Sequence, residues 1–251
     1  MSESPALPEG LGELTPARVA LGRSGTSVPT RAMLSFRADH ALARDAVHEP
    51  FDPAELLSHL EDGAVNAATG VTDRGTYLRR PDLGRRLADV SRSRLAQAPR
   101  VDVAVLASDG LSATAIRRHG AAVVNDLVAN LRLAGLSVVV VVVPFARVGL
   151  LSDAGSVLGV RAAVMVIGER PGLSAPDNLS IYVEVDPRPG HTDADRNCLS
   201  NIRPEGLSPT LAAAQATQLI QAGLRAGRRG TTLSIEFDSV VDRGTPRLRE
   251  S

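Results

Sequence analysis

The feature that most constrains the fold of this chain is a change of pattern near residue 101. Downstream of it, short apolar runs rich in β-branched residues alternate with longer amphipathic segments. The run VVVVVV at 138–143 is continuous, as expected of a strand buried on both faces of a parallel sheet. Strands separated by helical crossovers are typical of α/β folds. The predicted strands are 101–107, 138–143, 162–167 and 180–185, the predicted helices are 113–133, 152–158 and 209–226, and a last strand is predicted at 232–237.

The residues upstream of 101 have a helical pattern instead. A first helix is indicated by residues that share one helical face, namely Met33, Phe36, His40, Ala43 and Val47. Shorter helices are predicted at 53–60 and from Pro81 onward, because proline suits a first helical turn. We therefore predict an α/β fold with a Rossmann-like, mostly parallel sheet and flanking helices, preceded by a small helical N-terminal domain. The predicted divisions are a flexible lead at 1–14, the helical domain at 15–98 and the α/β domain at 99–251.

The composition excludes several classes of site. Cys198 is the single cysteine of the chain, so an internal disulfide and a thiolate-rich metal site are both excluded. The chain has no lysine, which excludes a Schiff-base mechanism and a P-loop. The formal net charge is zero and the arginines are interspersed with carboxylates, so nucleic acid is not expected as a partner. The five histidines lack any familiar ligand spacing, and no metal site is predicted.

The chain is also not expected to enter a membrane. The longest apolar stretch, 138–143, is much shorter than the roughly 18 residues that a membrane-spanning helix needs. The first residues, MSESPALPEG, lack the basic and apolar regions of a secretory signal. We therefore expect a cytoplasmic protein, and the sequence leaves open whether it resides in a bacterial microcompartment.

The loops that follow the predicted strands indicate one ligand site. In a parallel sheet, ligands bind beyond the carboxyl ends of the strands. The loops concerned begin at Ser108, Pro144, Gly168 and Asp186, and we expect all of them at one edge of the sheet. No G-x-G-x-x-G, G-x-S-x-G or H-E-x-x-H motif occurs in them, so generic motifs do not identify the ligand.

Longer strings do carry a resemblance. They are TPARVALGRSGTSVPTRAMLSFRADHALARDAV (15–47), YLRRPDLGRRL (77–87), SDGLSATA (108–115), GERPGLSAPDNLSIY (168–182) and DADRNCLSNIRPEGLS (193–208). Together they resemble the small subunit of ethanolamine ammonia-lyase over residues 15–228. The resemblance implies a lyase that uses adenosylcobalamin to convert ethanolamine to acetaldehyde and ammonia. It also implies a large catalytic subunit as partner, which holds the substrate while this chain completes the cobalamin site.

The resemblance further implies which residues contact the cofactor. They are Val148, Glu169 in GERPG and Cys198 in RNCLSN, and no catalytic residue is implied in this chain. A corrin has broad apolar faces fringed with amide groups, and the Glu169 carboxylate suits an amide donor. Taken alone, Glu169 could equally be a surface glutamate paired with Arg170 or Arg203, and Cys198 a buried inert thiol.

Other interpretations remain open at the level of sequence. The chain could be an assembly subunit that does not touch the cofactor, or a free-standing nucleotide-binding α/β module. Asp109 could cap a helix together with Ser112, or orient the cofactor or a partner loop. The arginine-rich segment 77–87 could contact the large subunit, or could be a solvated helix start.

Overall fold

The structure, a computed structural model, describes residues 18–19, 21–23, 25–61 and 63–234. The strands are β1 (Val65–Asn66), β2 (Val103–Ser108), β3 (Val138–Val142), β4 (Ala162–Gly168), β5 (Leu179–Val185) and β6 (Asn197–Ile202). The α-helices are α1 (Thr30–His48), α2 (Pro53–Ser58), α3 (Arg74–Arg79), α4 (Asp89–Leu95), α5 (Ala113–Ala115), α6 (Ala121–Leu133), α7 (Leu150–Leu158) and α8 (Pro209–Ala226). A π-helical segment, Ile116–Gly120, joins α5 to α6, and short 3-10 helices lie at Leu83–Arg85, Asp193–Asp195 and Gly230–Thr232.

The strands form one six-stranded sheet in the order β1-β3-β2-β4-β5-β6. The pairings from β1 to β4 are parallel, whereas β5 runs antiparallel to β4 and β6 antiparallel to β5. The α/β class with flanking helices is confirmed, but the sheet is mixed and the prediction of a mostly parallel sheet is wrong. The connection from β4 to β5, residues 169–178, contains no helix. Parallel pairing needs a longer crossover, usually a helix, so this short connection makes a hairpin instead.

The four long strands predicted downstream of residue 101 match β2 to β5 closely, and the helix predicted at 209–226 coincides with α8. Strands β1 and β6 and helix α3 were not predicted. The helix predicted from Pro81 is instead a 3-10 turn followed by α4, and Val90 is 83% exposed. Residues 230–232 form a 3-10 helix where the last strand was to begin, and residues 235–237 lie outside the described part of the chain.

The sheet has two faces, each covered by helices. On the first, the α6/α8 face, strand residues such as Val105, Val164 and Ile181 pack against α6 and α8. On the second, the α7 face, Leu106 and Met165 pack against α7 and α4. The α6/α8 face extends across β5 and β6, whereas the apolar cluster of the α7 face has only half-buried Tyr182 from β5 and nothing from β6.

The described residues of the N-terminal segment are mainly helical, yet they share the core of the sheet. Strand β1 pairs with β3 at one edge, and Leu87 and Leu95 belong to the apolar cluster of the α7 face. A separate helical domain is therefore not confirmed, and the boundary near residue 98 stays a prediction. Among the described helices, none is both long enough and apolar enough to cross a membrane.

Candidate functional site

The candidate site is a groove on the α7 face, between the start of α7 and strand β5. It consists of two cavities that share the residues Arg147, Val148 and Tyr182. The smaller cavity, about 400 Å³, extends to Leu111 and Glu169 at the carboxyl end of β4. The larger cavity, about 700 Å³, extends along β5 to the loop 189–193. We call these the β4-end cavity and the arginine cavity, because arginines line the latter.

Val148 lies in the loop between β3 and α7, where it is half-buried and packs against the apolar cluster of the α7 face. Backbone hydrogen bonds hold this loop at both ends. Arg147 N donates to Gly84 O at 2.8 Å, and Leu151 N donates to Val148 O at 3.0 Å as α7 begins. Val148 is therefore fixed at the junction of the two cavities.

Glu169 follows β4 directly, and its position depends on Gly168. A Cβ at Gly168 would lie 2.2 Å from Ser112 O and 2.4 Å from Asp109 O, so only glycine allows these backbones to meet. Glu169 N donates to Asn178 O at 2.9 Å, and one carboxylate oxygen accepts a hydrogen bond from Ser180 Oγ. Within the described residues the second carboxylate oxygen has no hydrogen bond, and Glu169 lines the β4-end cavity.

Cys198 reaches the same region from β6. It is exposed and lies opposite Tyr182 in the antiparallel ladder. Desolvation raises the pKa of the Cys198 thiol, and the nearby Glu169 carboxylate raises it further, against hydrogen bonds from Tyr182 and Ser180 that lower it. Desolvation likewise raises the pKa of Tyr182, to which Cys198 and Glu169 add. Both groups are therefore neutral near pH 7, and Cys198 is poorly suited to act as a nucleophile.

The structure thus brings the three predicted residues to one region, but through a strand arrangement that differs from the expected one. Val148 and Glu169 line one cavity, and Cys198 contacts the Tyr182 that both cavities share. Because β5 is antiparallel, the loop 186–196 emerges at the opposite edge of the sheet, and the expectation of a common edge is wrong for it. Strand β6 then carries Cys198 back along β5. The assignment of the three residues as cofactor contacts stays a prediction.

Arg147 and Tyr77 also line the β4-end cavity, and sequence reasoning missed both. The Arg147 guanidinium stacks on the Tyr77 ring, 3.9 Å from its centroid, and donates to Tyr77 O at 2.8 Å. Burial raises the pKa of Tyr77 to about 12, and its hydroxyl donates to Ala146 O at 3.1 Å. Arg147 Nε is buried and has no hydrogen-bond partner in the described structure. A buried donor without a partner costs stability.

Asp109 supports the site from beneath. Its buried carboxylate pairs with Arg74 and accepts a hydrogen bond from Phe145 N at 2.7 Å. Desolvation raises the pKa of Asp109, against the lowering effect of Arg74. Helix α5 is capped by Ser112 Oγ, which accepts a hydrogen bond from Ala115 N at 3.2 Å, so the interpretation of Asp109 as a helix cap is wrong. Asp109 instead fixes the start of the loop that carries Val148.

A second buried carboxylate, Glu184, holds the far end of the groove. It is 0% exposed and accepts hydrogen bonds at 2.8 Å from Ser152 Oγ and from Arg196 Nε. His191 Nδ1 lies 2.8 Å from Glu184 Oε1, the oxygen that also accepts from Ser152 Oγ. Ser152 belongs to α7, whereas His191 and Arg196 belong to the loop after β5. Glu184 therefore ties that loop to α7 across the floor of the arginine cavity.

Comparisons with known proteins identify the family of the chain. A family described as "Ethanolamine ammonia-lyase light chain (EutC)" matches residues 8–234. An ethanolamine ammonia-lyase small subunit of Rhodopseudomonas palustris is 48% identical over 241 residues, covering 94% of this chain and 92% of that protein. One of Bradyrhizobium diazoefficiens is 46% identical and covers 98% of both chains, and one of Pseudomonas fluorescens is 45% identical and covers 90% and 85%. The chain therefore belongs to the family of ethanolamine ammonia-lyase light chains, the small subunits of that lyase.

Proposed function

We propose that this chain acts with a large catalytic subunit to convert ethanolamine to acetaldehyde and ammonia, and that its own part is to complete the adenosylcobalamin site. The observation that carries the proposal is the groove of the α7 face, where Val148 and Glu169 line one cavity and Cys198 lies opposite Tyr182, which lines the same cavity. The proposed place of action is the cytoplasm, free or within a bacterial microcompartment.

The chemistry of the β4-end cavity fits a corrin. The ring presents wide apolar faces, and its edge carries amide groups that both donate and accept hydrogen bonds. Leu111, Val148 and Ile167 provide apolar lining. Within the described residues Glu169 has one acceptor oxygen without a hydrogen bond, and Arg147, whose guanidinium carries hydrogen-bond donors, lines the same cavity. An amide can satisfy both kinds of group, whereas an all-apolar ligand would leave them unpaired.

The residues of this chain bind and orient the cofactor in this proposal, and they exclude water from it. The cofactor, once bound, supplies the radical that begins the reaction. Tyr77, Tyr182 and Cys198 all have raised pKa values, so none of them is suited to lose a proton near pH 7. We therefore assign the substrate and its proton transfers to the large subunit, and expect this chain to be inactive alone.

The test is Glu169→Gln in the complex co-expressed with the cognate large subunit. The substitution keeps the shape of the side chain but removes its charge, and hydrogen bonds to charged groups contribute about 1.5–3 kcal/mol. We expect the dissociation constant of adenosylcobalamin, measured from its absorbance spectrum, to rise by roughly tenfold or more. Glu205→Gln is the matched control, because Glu205 is 71% exposed and lies outside both cavities.

Two outcomes would support the other interpretations. Unchanged cofactor affinity together with loss of the complex on gel filtration would identify an assembly subunit. A rise in the melting temperature of the purified chain with NAD or ATP would identify a nucleotide-binding module instead. Retained activity of the chain without a large subunit would contradict the division of labour that we propose.

A further inference from the structure

The arginine cavity has more positive charge than its carboxylates can balance. Four arginines line it, namely Arg85, Arg86, Arg147 and Arg196. Arg196 is paired with Glu184 and Asp193, and the other lining carboxylate, Asp153, is paired with Arg92. The Arg147 guanidinium donates its one hydrogen bond among the described residues to the Tyr77 carbonyl, and the side chains of Arg85 and Arg86 have no hydrogen bond or ion pair with any described residue. Three guanidinium groups therefore line one cavity without a carboxylate partner among the described residues.

The position of the unpaired arginines is built into the fold. Arg85 and Arg86 belong to the segment around the 3-10 turn Leu83–Arg85, which docks on the loop before α7 that carries Arg147. Gly84 makes the contact: a Cβ there would lie 2.8 Å from Phe145 O and 2.9 Å from Arg147 Cγ. The stem of Arg85 then packs beside Gly149, whose own Cβ position is 3.1 Å from Arg85 Cγ. The stem of Arg85 is therefore held beside Gly149, although the residue as a whole is exposed.

We infer that the arginine cavity binds a phosphate group, and that in the assembled enzyme this is the phosphodiester in the nucleotide tail of the bound cobalamin. The inference rests on the proposed function. The side groups of the corrin ring are neutral amides, so the phosphodiester is the part of the ligand that is anionic at every physiological pH. The two cavities share Arg147, Val148 and Tyr182, so a single ligand can occupy both.

Residue type supports the same conclusion. A guanidinium offers paired donors that match two phosphate oxygens, and it stays charged in all conditions relevant to the enzyme. Arg85 and Arg86 are exposed in this chain, so an anion can reach them without first breaking an ion pair. Segment 77–87 was equally compatible with a partner contact or a solvated helix start, and the cavity gives these two arginines a ligand role instead.

The experiment uses the complex with the large subunit and compares three ligands. Adenosylcobalamin has the full tail, adenosylcobinamide phosphate ends at a phosphate, and adenosylcobinamide has no phosphate. We expect the wild-type complex to bind the two phosphate-bearing ligands at least tenfold more tightly than adenosylcobinamide. In Arg85→Gln/Arg86→Gln this preference should fall about tenfold, while the affinity for adenosylcobinamide changes less than twofold. The preference should also weaken with added salt, because exposed charges are screened.

Matched variants separate charge from structure. Arg80→Gln removes an arginine from the same segment that is paired with Asp82 and lies outside the cavity, so it should leave the preference unchanged. Arg85→Lys/Arg86→Lys retains the charge and should restore part of the preference. Glu169→Gln should lower the affinity for all three ligands alike, because the proposed contact of Glu169 is to the corrin. Unchanged cofactor affinity in Glu169→Gln thus overturns the proposed function. An unchanged preference for phosphate-bearing ligands in the Arg85→Gln/Arg86→Gln complex overturns only the phosphate site.

Two further results would overturn the inference. Equal weakening of all three ligands in Arg85→Gln/Arg86→Gln would mean that these arginines support the groove generally and do not recognise phosphate. Titration of the cofactor-free complex with inorganic phosphate tests a free anion as the ligand. Phosphate binding that requires Arg85 and Arg86, with an unchanged preference among the three cofactor forms, would assign the cavity to a free anion and not to the cofactor tail.

Discussion

The parallel half of the sheet, β1 to β4, and the antiparallel half, β5 and β6, present different kinds of residue to the α7 face. In the parallel half, β2 and β4 present Leu106 and Met165 to that face, and α7 covers them completely. In the antiparallel half, β5 presents Ser180, Tyr182 and Glu184 at alternate positions, and the exposed Cys198 follows on β6. On the opposite face both halves are equally apolar, since Val164 of β4 and Ile181 of β5 belong to one cluster.

This difference explains why the groove lies where it does. Parallel strands connected by helices are covered on both faces, whereas antiparallel strands connected by short loops need a covering layer on one face only. The hairpin after β4 and the return along β6 therefore leave a polar strip beside α7, formed by Ser180, Tyr182 and Glu184 of β5 and Cys198 of β6, in place of apolar packing. The groove occupies that strip, so the candidate site is a product of the change in strand direction.

The largest effect is expected where a charge is buried in the antiparallel half. Glu184→Ala would leave Arg196, whose side chain is 3% exposed, without its buried partner. Removing one partner of a buried ion pair costs about 3–5 kcal/mol. We expect urea denaturation to give a loss of about 4 kcal/mol in unfolding free energy. Glu184→Gln keeps the size of the side chain and one acceptor oxygen, so it should lose less. A loss below about 1 kcal/mol for the alanine variant would mean that Glu184 does not hold this half together.

A smaller effect is expected from the apolar part of the same face. Leu106→Ala creates a cavity under α7, and such substitutions cost about 3 kcal/mol. Tyr182 is half-buried on the same face, so Tyr182→Ala should cost about half as much. The same urea measurements give the comparison. Equal losses for Leu106→Ala and Tyr182→Ala would show that the two halves are covered alike and would remove the basis for the groove.

The parallel half could be predicted from the sequence because its strands are continuous apolar runs. The run 138–143 and its neighbours have no polar interruption, so length and composition suffice to identify them. Strand β1 was missed because two residues carry no periodicity. Strand β6, sequence NCLSNI, was missed because its polar residues resemble a loop.

The direction of β5 was predictable in principle. Its sequence LSIYVEV alternates apolar and polar residues, which is typical of an antiparallel strand with one face outside the core. The candidate site was predictable only in part. Glu169 and Cys198 were found through family strings, whereas Arg85 and Arg147 join the cavity through Gly84, a contact between segments that no local pattern encodes.

The smallest effect concerns Cys198, an exposed residue of the antiparallel half on β6. Its raised pKa means that less thiolate is present at pH 7.5 than in a free cysteine, whose pKa is about 8.5. We expect alkylation by iodoacetamide to be slow at pH 7.5 and to accelerate at a higher pH than for the free amino acid, since only the thiolate reacts. Cys198→Ser should change the unfolding free energy by no more than about 0.5 kcal/mol, as for other exposed positions. If the alkylation rate reached half its maximum at the same pH as for free cysteine, or at a lower pH, the result would contradict the desolvation of the polar strip. In the complex with the large subunit, added cobalamin should slow the alkylation further, because the proposed ligand would cover the strip.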